Sequence, residues 1–386
     1  MNMVDKVKYV VLCLLFSGIL TRGQDSTNTI AFNYSGYLKY TGNQIYQYRS
    51  EQNTSWEWLH HRLNLRYDVS KRLSFVSEFR TRIFQGQFVR ENKSFILQVN
   101  NPNDAVCLNK SWDINESMVL LTRIDRLSGE FNTDNWKIKA GRQRINWGMA
   151  TIWNTNDIFN TYNFLDIDYL ERSSADGIRI NRRIGDLSSI EVAYSTALKN
   201  RRAITALRYN TNLKGYDISF NAGKYESRTT AGVGWSGNIG NCGFRGEGQF
   251  YSSVNSGSVL NLCIEGDYLF SGSWYLNIAG LYCSAGQNTP TKESFSGILQ
   301  IIPIQPMPFR WNYAVCIQKN VWTLWNLSSI IFFVPLSDYL IFYPTVTYDA
   351  GKRMDIGLSL QSVLNTSEGV GLFSANSCFA SLKWSY

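Results

Sequence analysis

The sequence predicts an all-β protein, an antiparallel transmembrane β-barrel. Three features carry this: strand-length segments of strict alternation, connections that are short and long in turn, and a last strand ending on an aromatic residue. The count is 18 strands, with 16 the alternative if the stretch from Trp311 to Tyr348 holds fewer. Long loops then lie on one side of the membrane and short turns on the other.

The alternation is plain from the first segment. Ile30, Phe32, Tyr34, Leu38 and Tyr40 stand at every second position. Leu63, Leu65, Tyr67 and Val69 alternate with Arg62, Asn64, Arg66 and Asp68. Leu260, Leu262, Ile264, Tyr268 and Phe270 alternate with Asn261, Cys263, Glu265 and Asp267. A period of two marks a strand with one apolar and one polar face. Mean hydropathy is −0.22 because the two faces cancel, and aromatic residues reach 14%, enough to furnish girdles at both membrane boundaries.

Short turns fall at Ser70 to Arg72, Asn132 to Asn135, Gly185-Asp186, Asn212 to Gly215, Gly240-Asn241, Ser271-Gly272, near Asn320, and at Asp349 to Lys352. Long connections span residues 84–115, 145–173 and 285–310. Alternating the two kinds puts both chain ends on the short-turn, periplasmic side. Ala380, Leu382, Trp384 and Tyr386 share one face of the final strand. Such an end is similar to the signal read by the outer-membrane assembly machinery, an expected partner.

Residues 1–23 read as a signal peptide: Lys6 and Lys8, the apolar run from Tyr9 to Leu20, then Thr21-Arg22-Gly23 before Gln24. The apolar run is too short to span a bilayer, which takes about 20 residues as a helix. Residues 24–386 form a single barrel domain. The implied location is the outer membrane of a Gram-negative bacterium, with membrane lipid as the surroundings.

A formal net charge of +8 suits an anionic solute or anionic lipid; an exported chain has no nucleic acid to meet. Six cysteines follow the cleavage point without a C-x-x-C pair or metal-ligand spacing, so neither metal nor cofactor is expected. His60 and His61 are the only histidines. Strand neighbours point to opposite faces, and no nucleophile elbow or triad accompanies them, so the chain reads as non-enzymatic.

A barrel of this size encloses an aqueous lumen whose inward side chains set selectivity. The candidate pore-lining residues are Arg62, Arg66, Arg80, Arg82, Lys137, Lys139, Arg179 and Arg183. Ladders of arginine and lysine favour anions; the same cations could instead brace the wall against Glu78, Asp68 and other acids.

Residues 141–180 are the most distinctive stretch. Gly141-Arg142-Gln143, Ile145-Asn146-Trp147-Gly148, Trp153-Asn154 and Asp157-Ile158-Phe159-Asn160 resemble a block found in Gram-negative outer-membrane barrels related to porin-type and alginate-export channels. Thr155 and Thr161 stand where that block carries proline. The resemblance implies an outer-membrane channel. A long loop rich in aromatic residues needs a surface to pack on, and folding into the lumen supplies one. Candidate constriction residues are Arg142, Arg144, Asn146, Trp147, Trp153, Asn154, Asp157 and Asn160. The expected function is passive passage of small hydrophilic, anionic solutes. The alternatives are export of an acidic polysaccharide, or a non-conducting surface-binding or assembly barrel using the loop 84–115.

Overall fold

The structure is a computed structural model describing residues 31–47, 53–92, 95, 106–160, 174–197, 202–252, 257–288, 301–335, 339–365 and 372–386. The expected signal peptide, 1–23, lies outside them, as does the loop stretch 161–173.

The strands are β1 (Ala31–Gln47), β2 (Thr54–Asp68), β3 (Leu73–Gly86), β4 (Asn109–Asn115), β5 (Met118–Asn132), β6 (Trp136–Gln143), β7 (Ala175–Arg183), β8 (Ser189–Ala197), β9 (Arg202–Leu213) and β10 (Tyr216–Tyr225). They continue with β11 (Arg228–Ile239), β12 (Cys242–Ser252), β13 (Val259–Phe270), β14 (Trp274–Cys283), β15 (Trp311–Val321), β16 (Trp325–Phe333), β17 (Tyr339–Gly351), β18 (Met354–Asn365) and β19 (Leu372–Ser385). A short helix, α1 (Gln87–Glu91), follows β3.

Every pairing is antiparallel between chain neighbours, except that β3 pairs directly with β5 and β1 pairs with β19. The sheet therefore closes with 18 strands in the wall and β4 as a nineteenth, outside the main circuit. Closure leaves no unpaired sheet edge around that circuit, which is the condition for a sheet to cross hydrocarbon.

The alternation sorts the faces as expected. Phe32, Phe75, Ile178, Phe220, Ile264, Ile278 and Leu358 are exposed on the outer surface, where lipid replaces water. Residues opposite one another across a ladder share a face. The pairs Arg62–Arg80 and Asn64–Glu78 are therefore inward, beside the outward Leu63 and Phe79.

β4 corrects the reading of residues 84–115 as connection throughout. β6 pairs with β5 only from Leu127 to Asn132. The remaining edge of β5, from Met118 to Arg123, takes β4 as its partner. β6 is short because the chain leaves the wall there, and β4 satisfies the backbone groups that departure exposes. The departure begins at Gly141, at φ +113°. A side chain there would lie 2.3 Å from Leu127 O, so only glycine fits.

The seam is closed by the chain end. Tyr386 N donates to Gly36 O at 3.0 Å and Gly36 N to Tyr386 O at 3.2 Å. The Tyr386 ring covers Gly36, where a Cβ would lie 2.4 Å from Tyr386 Oη. That hydroxyl donates to Arg62 O at 3.1 Å and lies 2.9 Å from His61 Nε2. The cysteines from Cys107 to Cys378 are all free thiols.

Candidate functional site: the barrel interior

Beyond Gln143 the chain turns into the lumen and crosses it. Ile145, Trp147 and Ile158 have no exposed surface. Trp147 Nε1 donates to Glu191 of β8 at 2.6 Å. Glu247 of β12 accepts from the backbone N–H groups of Met149, Ala150 (2.7 Å) and Asn156 (2.8 Å). Glu265 of β13 accepts from Thr151 N at 2.8 Å, Thr151 Oγ1 at 2.6 Å and Ile152 N at 3.1 Å. Asn277 of β14 donates to Thr151 Oγ1 at 2.9 Å. Trp153 meets Phe332 of β16 edge-on, with centroids 5.8 Å apart.

The segment thus runs from β6 past β8, β12, β13 and β14 to β16. Its own carbonyls close two small loops, Asn154 Nδ2 donating to Ala150 O and Asn160 Nδ2 to Ile145 O. Irregular backbone inside a barrel needs such partners, since each buried unpaired group costs about 1–3 kcal/mol.

A second segment, residues 301–310, also points inward. Pro303 O accepts from Tyr251 Oη at 3.3 Å, and Ile304 O from Asn261 Nδ2 at 2.9 Å. Met307 and Phe309 are buried among Trp153, Ala279, Leu281, Ala314 and Phe332. Trp147, Ile158 and Phe159 pack with Ala193, Ala206, Tyr225 and Tyr251. Apolar packing therefore fills part of the lumen beside β8–β17. A third cluster, Trp58, Phe84, Val89, Phe95, Val119, Leu121 and Phe379, lies at the long-loop end under α1.

The inner face that remains polar is on β1–β3, β5–β7 and β17–β19. Its hub is Asp125, at a bulge where β5 slips register against Glu78 and Phe79. Arg62 Nη1 donates to Asp125 Oδ2 at 3.0 Å and Arg80 Nη2 to Asp125 Oδ1 at 2.9 Å. Arg123 Nε lies 3.4 Å from Asp125 Oδ1. Arg126 Nη1 donates to the Asp125 carbonyl at 3.1 Å, and Arg62 also pairs with Glu78. Among the described residues of this group, four arginines stand with two carboxylates, a formal surplus of positive charge.

The other expected pore residues divide by exposure. Arg66 is 47% exposed and paired with Asp68 at 2.9 Å. Arg82 lies over the Phe84 ring at 5.0 Å. Lys137 and Lys139 pair with Glu130 at 3.0 and 3.6 Å. Arg179 sits directly opposite Lys139, and Arg183 is exposed at the short-turn mouth. Across the passage, Ser328, Thr345 and Ser359 share the inner face of β16–β18, and Gln361 and Ser377 continue it. One side is basic and the other neutral.

The residues named for the constriction separate likewise. Trp147, Trp153, Asp157 and Asn160 are buried in the inward segment, Asn146 and Asn154 are half-buried there, and Arg144 is exposed. Arg142 belongs to the wall. It holds Asp176 through two bonds of 2.7 and 2.9 Å and donates to Ile124 O and Val106 O. Val106 N in turn donates to Asp176 at 3.0 Å. Arg142 thus clamps the chain leading into β4 over the gap that β6 leaves.

Sequence reasoning missed the three receptors Glu191, Glu247 and Glu265. Their partners are mainly backbone N–H groups, which leave no side-chain signature. Glu247 and Glu265 were legible as inward acids beside Arg245 and Asp267, but not as receptors of the inward segment. Arg123 and Arg126 were missed too, although Arg123, Asp125 and Arg126 break the alternation visibly.

No protein-family model matches the chain, and no curated protein matches its sequence. Solved structures do resemble it. OccK8 (OprE) of Pseudomonas aeruginosa aligns with a TM-score of 0.56 at 8% identity, over 92% of this chain and 98% of that one. OccAB4 of Acinetobacter baumannii gives 0.56 at 6% identity, over 94% and 100%. The outer membrane protein opdK of P. aeruginosa gives 0.53 at 7%, over 92% and 98%. At such identities the likeness is one of fold, and it extends over at least 92% of each chain: this protein has the architecture of a Gram-negative outer-membrane barrel.

Proposed function

We propose that the protein is a passive outer-membrane channel for small hydrophilic solutes, with a preference for anions. The observation that carries this is the asymmetry of the lumen. Apolar packing fills part of the side along β8–β17. The polar side keeps a net-positive group of Arg62, Arg80, Arg123 and Arg126 on Asp125 and Glu78. A passage with a surplus of one charge on low-dielectric walls concentrates the counter-ion, and arginine-lined pores favour anions. The neutral hydroxyls opposite supply hydrogen bonds without cancelling that field.

The inward segment sets the width of this passage. Trp147 and Trp153 act in it as packing and anchoring groups, whereas Arg66, Arg80, Lys137 and Lys139 face the solute path. The last strand, ending at Tyr386, supports delivery to the membrane by the barrel-assembly machinery. Liposome swelling tests the proposal. Proteoliposomes should admit a small sugar acid faster than an uncharged sugar of the same size. Equal rates would overturn the anion preference, and no swelling with either would overturn the channel.

A further inference from the structure

The short-turn end of the barrel holds a cavity of about 530 Å³ lined by Leu269, Ser273, Tyr275, Gln318 and Asn320. Leu269 pairs across the ladder with Tyr275, and Tyr275 with Gln318, so these residues share the inner face of β13–β15. Toward the loop side, Asn277 donates to Tyr275 Oη at 3.4 Å and to Thr151 Oγ1 at 2.9 Å. The inward segment therefore lies on the loop side of this open concavity.

Its chemistry differs from that of the basic face. No lining residue is charged. Arg245, on neighbouring β12, is already engaged by Glu265 and Asp267, and Lys319 lies outward over the Trp274 ring at 4.5 Å. What remains is two hydroxyls and two carboxamides, the Asn320 oxygen already accepting from Asn326 Nδ2 at 2.7 Å, beside the Tyr275 ring and the exposed Leu269. A concavity of this size, lined by four residues with polar groups and one leucine, is of ligand dimensions. Neutral groups that both donate and accept, set against an aromatic face, match a neutral ring carrying several hydroxyls.

A second observation lies two residues beyond Asn320. The turn between β15 and β16 puts Trp322 at φ +49° and Thr323 at φ +60°. The other described short turns at this end that use left-handed residues each include a glycine: Gly215, Gly240, Gly272 or Gly351. A bulky and a β-branched residue in this conformation are strained, and Trp322 is 84% exposed, so burial does not account for keeping it. Strain held without a packing return points to a use for the side chain.

We propose that this cavity, with Trp322 in the turn that follows Asn320, is a periplasm-facing binding site for a neutral sugar ring. The site is separate from the anion passage and stands whether or not the barrel conducts. The ring could come from a free oligosaccharide or from the glycan of the cell wall.

The test is isothermal titration of the refolded full-length barrel in detergent with three probes: maltotriose, the N-acetylglucosamine trimer and trigalacturonate. We expect saturable binding of at least one neutral probe, weakened about ten-fold or more by Trp322→Ala and by Gln318→Ala with Asn320→Ala. Binding of maltotriose assigns the site to free sugar; binding of the N-acetylglucosamine trimer alone assigns it to cell-wall glycan. The proposal is overturned if neither neutral probe binds, if folded variants bind as the parent does, or if trigalacturonate binds ten-fold tighter than both. Trp322 lies in an exposed turn outside the wall, so its variant keeps the test valid should the double variant fail to fold.

Discussion

Replacing Glu247 by glutamine should loosen the constriction without disturbing the wall. Glu247 is 1% exposed, and its two oxygens receive the backbone N–H groups of Met149, Ala150 and Asn156. Glutamine keeps one acceptor and turns the other into a donor that faces a donor. Hydrogen bonds to a charged group contribute about 1.5–3 kcal/mol each, so the loss of one or two weakens the anchor by about 3 kcal/mol. At about 1.4 kcal/mol per factor of ten, the detached state of the inward segment gains roughly two orders of magnitude in population. Glu265, Asn277 and Glu191 still hold the segment elsewhere, so the change is local. Single-channel recording should then show a larger mean conductance with frequent excursions to a wider level. Native conductance and native noise from correctly folded Glu247→Gln would refute the reading of Glu247 as the anchor.

Other expected outcomes follow from the same geometry. Arg66→Glu, at an exposed position beside Asp68, should reduce anion preference in reversal-potential measurements while leaving stability nearly unchanged. Arg62→Ala removes a buried cation shared by Asp125 and Glu78 and should cost about 3 kcal/mol, read as a lower urea midpoint of the refolded barrel; an unchanged midpoint would show that Arg80 and Arg123 suffice. Tyr386→Phe removes the hydroxyl that joins Arg62 O and His61 across the seam and should cost about 1 kcal/mol on the same axis. Arg142→Leu leaves Asp176 without its bidentate partner and should open the chain near Val106 to protease, a site the parent resists.

Most of the wall was legible because lipid enforces alternation. Where the outer face meets hydrocarbon and the inner face meets water, as on β2 and β13, the sequence alternates cleanly. It failed to do so where that contrast is lost. Ile330 and Phe332 face inward against Trp153 and its neighbours, so β16 is apolar on both faces and reads ambiguously. β4 was hidden for another reason: its seven residues, NKSWDIN, form a strand because β6 vacates an edge, a circumstance set by tertiary structure. The turn placed near Asn320 falls instead at Trp322 to Leu324, because β15 runs on to Val321.

The interior was legible in part. Aromatic content in 145–160 demanded a packing surface, and the structure supplies one inside the lumen. Basic residues on β2 and β3 were visible as a ladder, while their partner Asp125 was not, since its inward position depends on a bulge. Arg142 looked like part of the loop by proximity, yet its contacts are with Asp176, Ile124 and Val106. Proximity in sequence does not reveal which side of Gly141 still belongs to the wall.

The most direct test of the account is the reversal potential of the refolded barrel in a planar bilayer across a potassium chloride gradient. The asymmetric lumen predicts a stable conductance whose reversal potential lies on the chloride side of zero. A folded barrel that does not conduct, or one whose reversal potential lies on the potassium side, would contradict it.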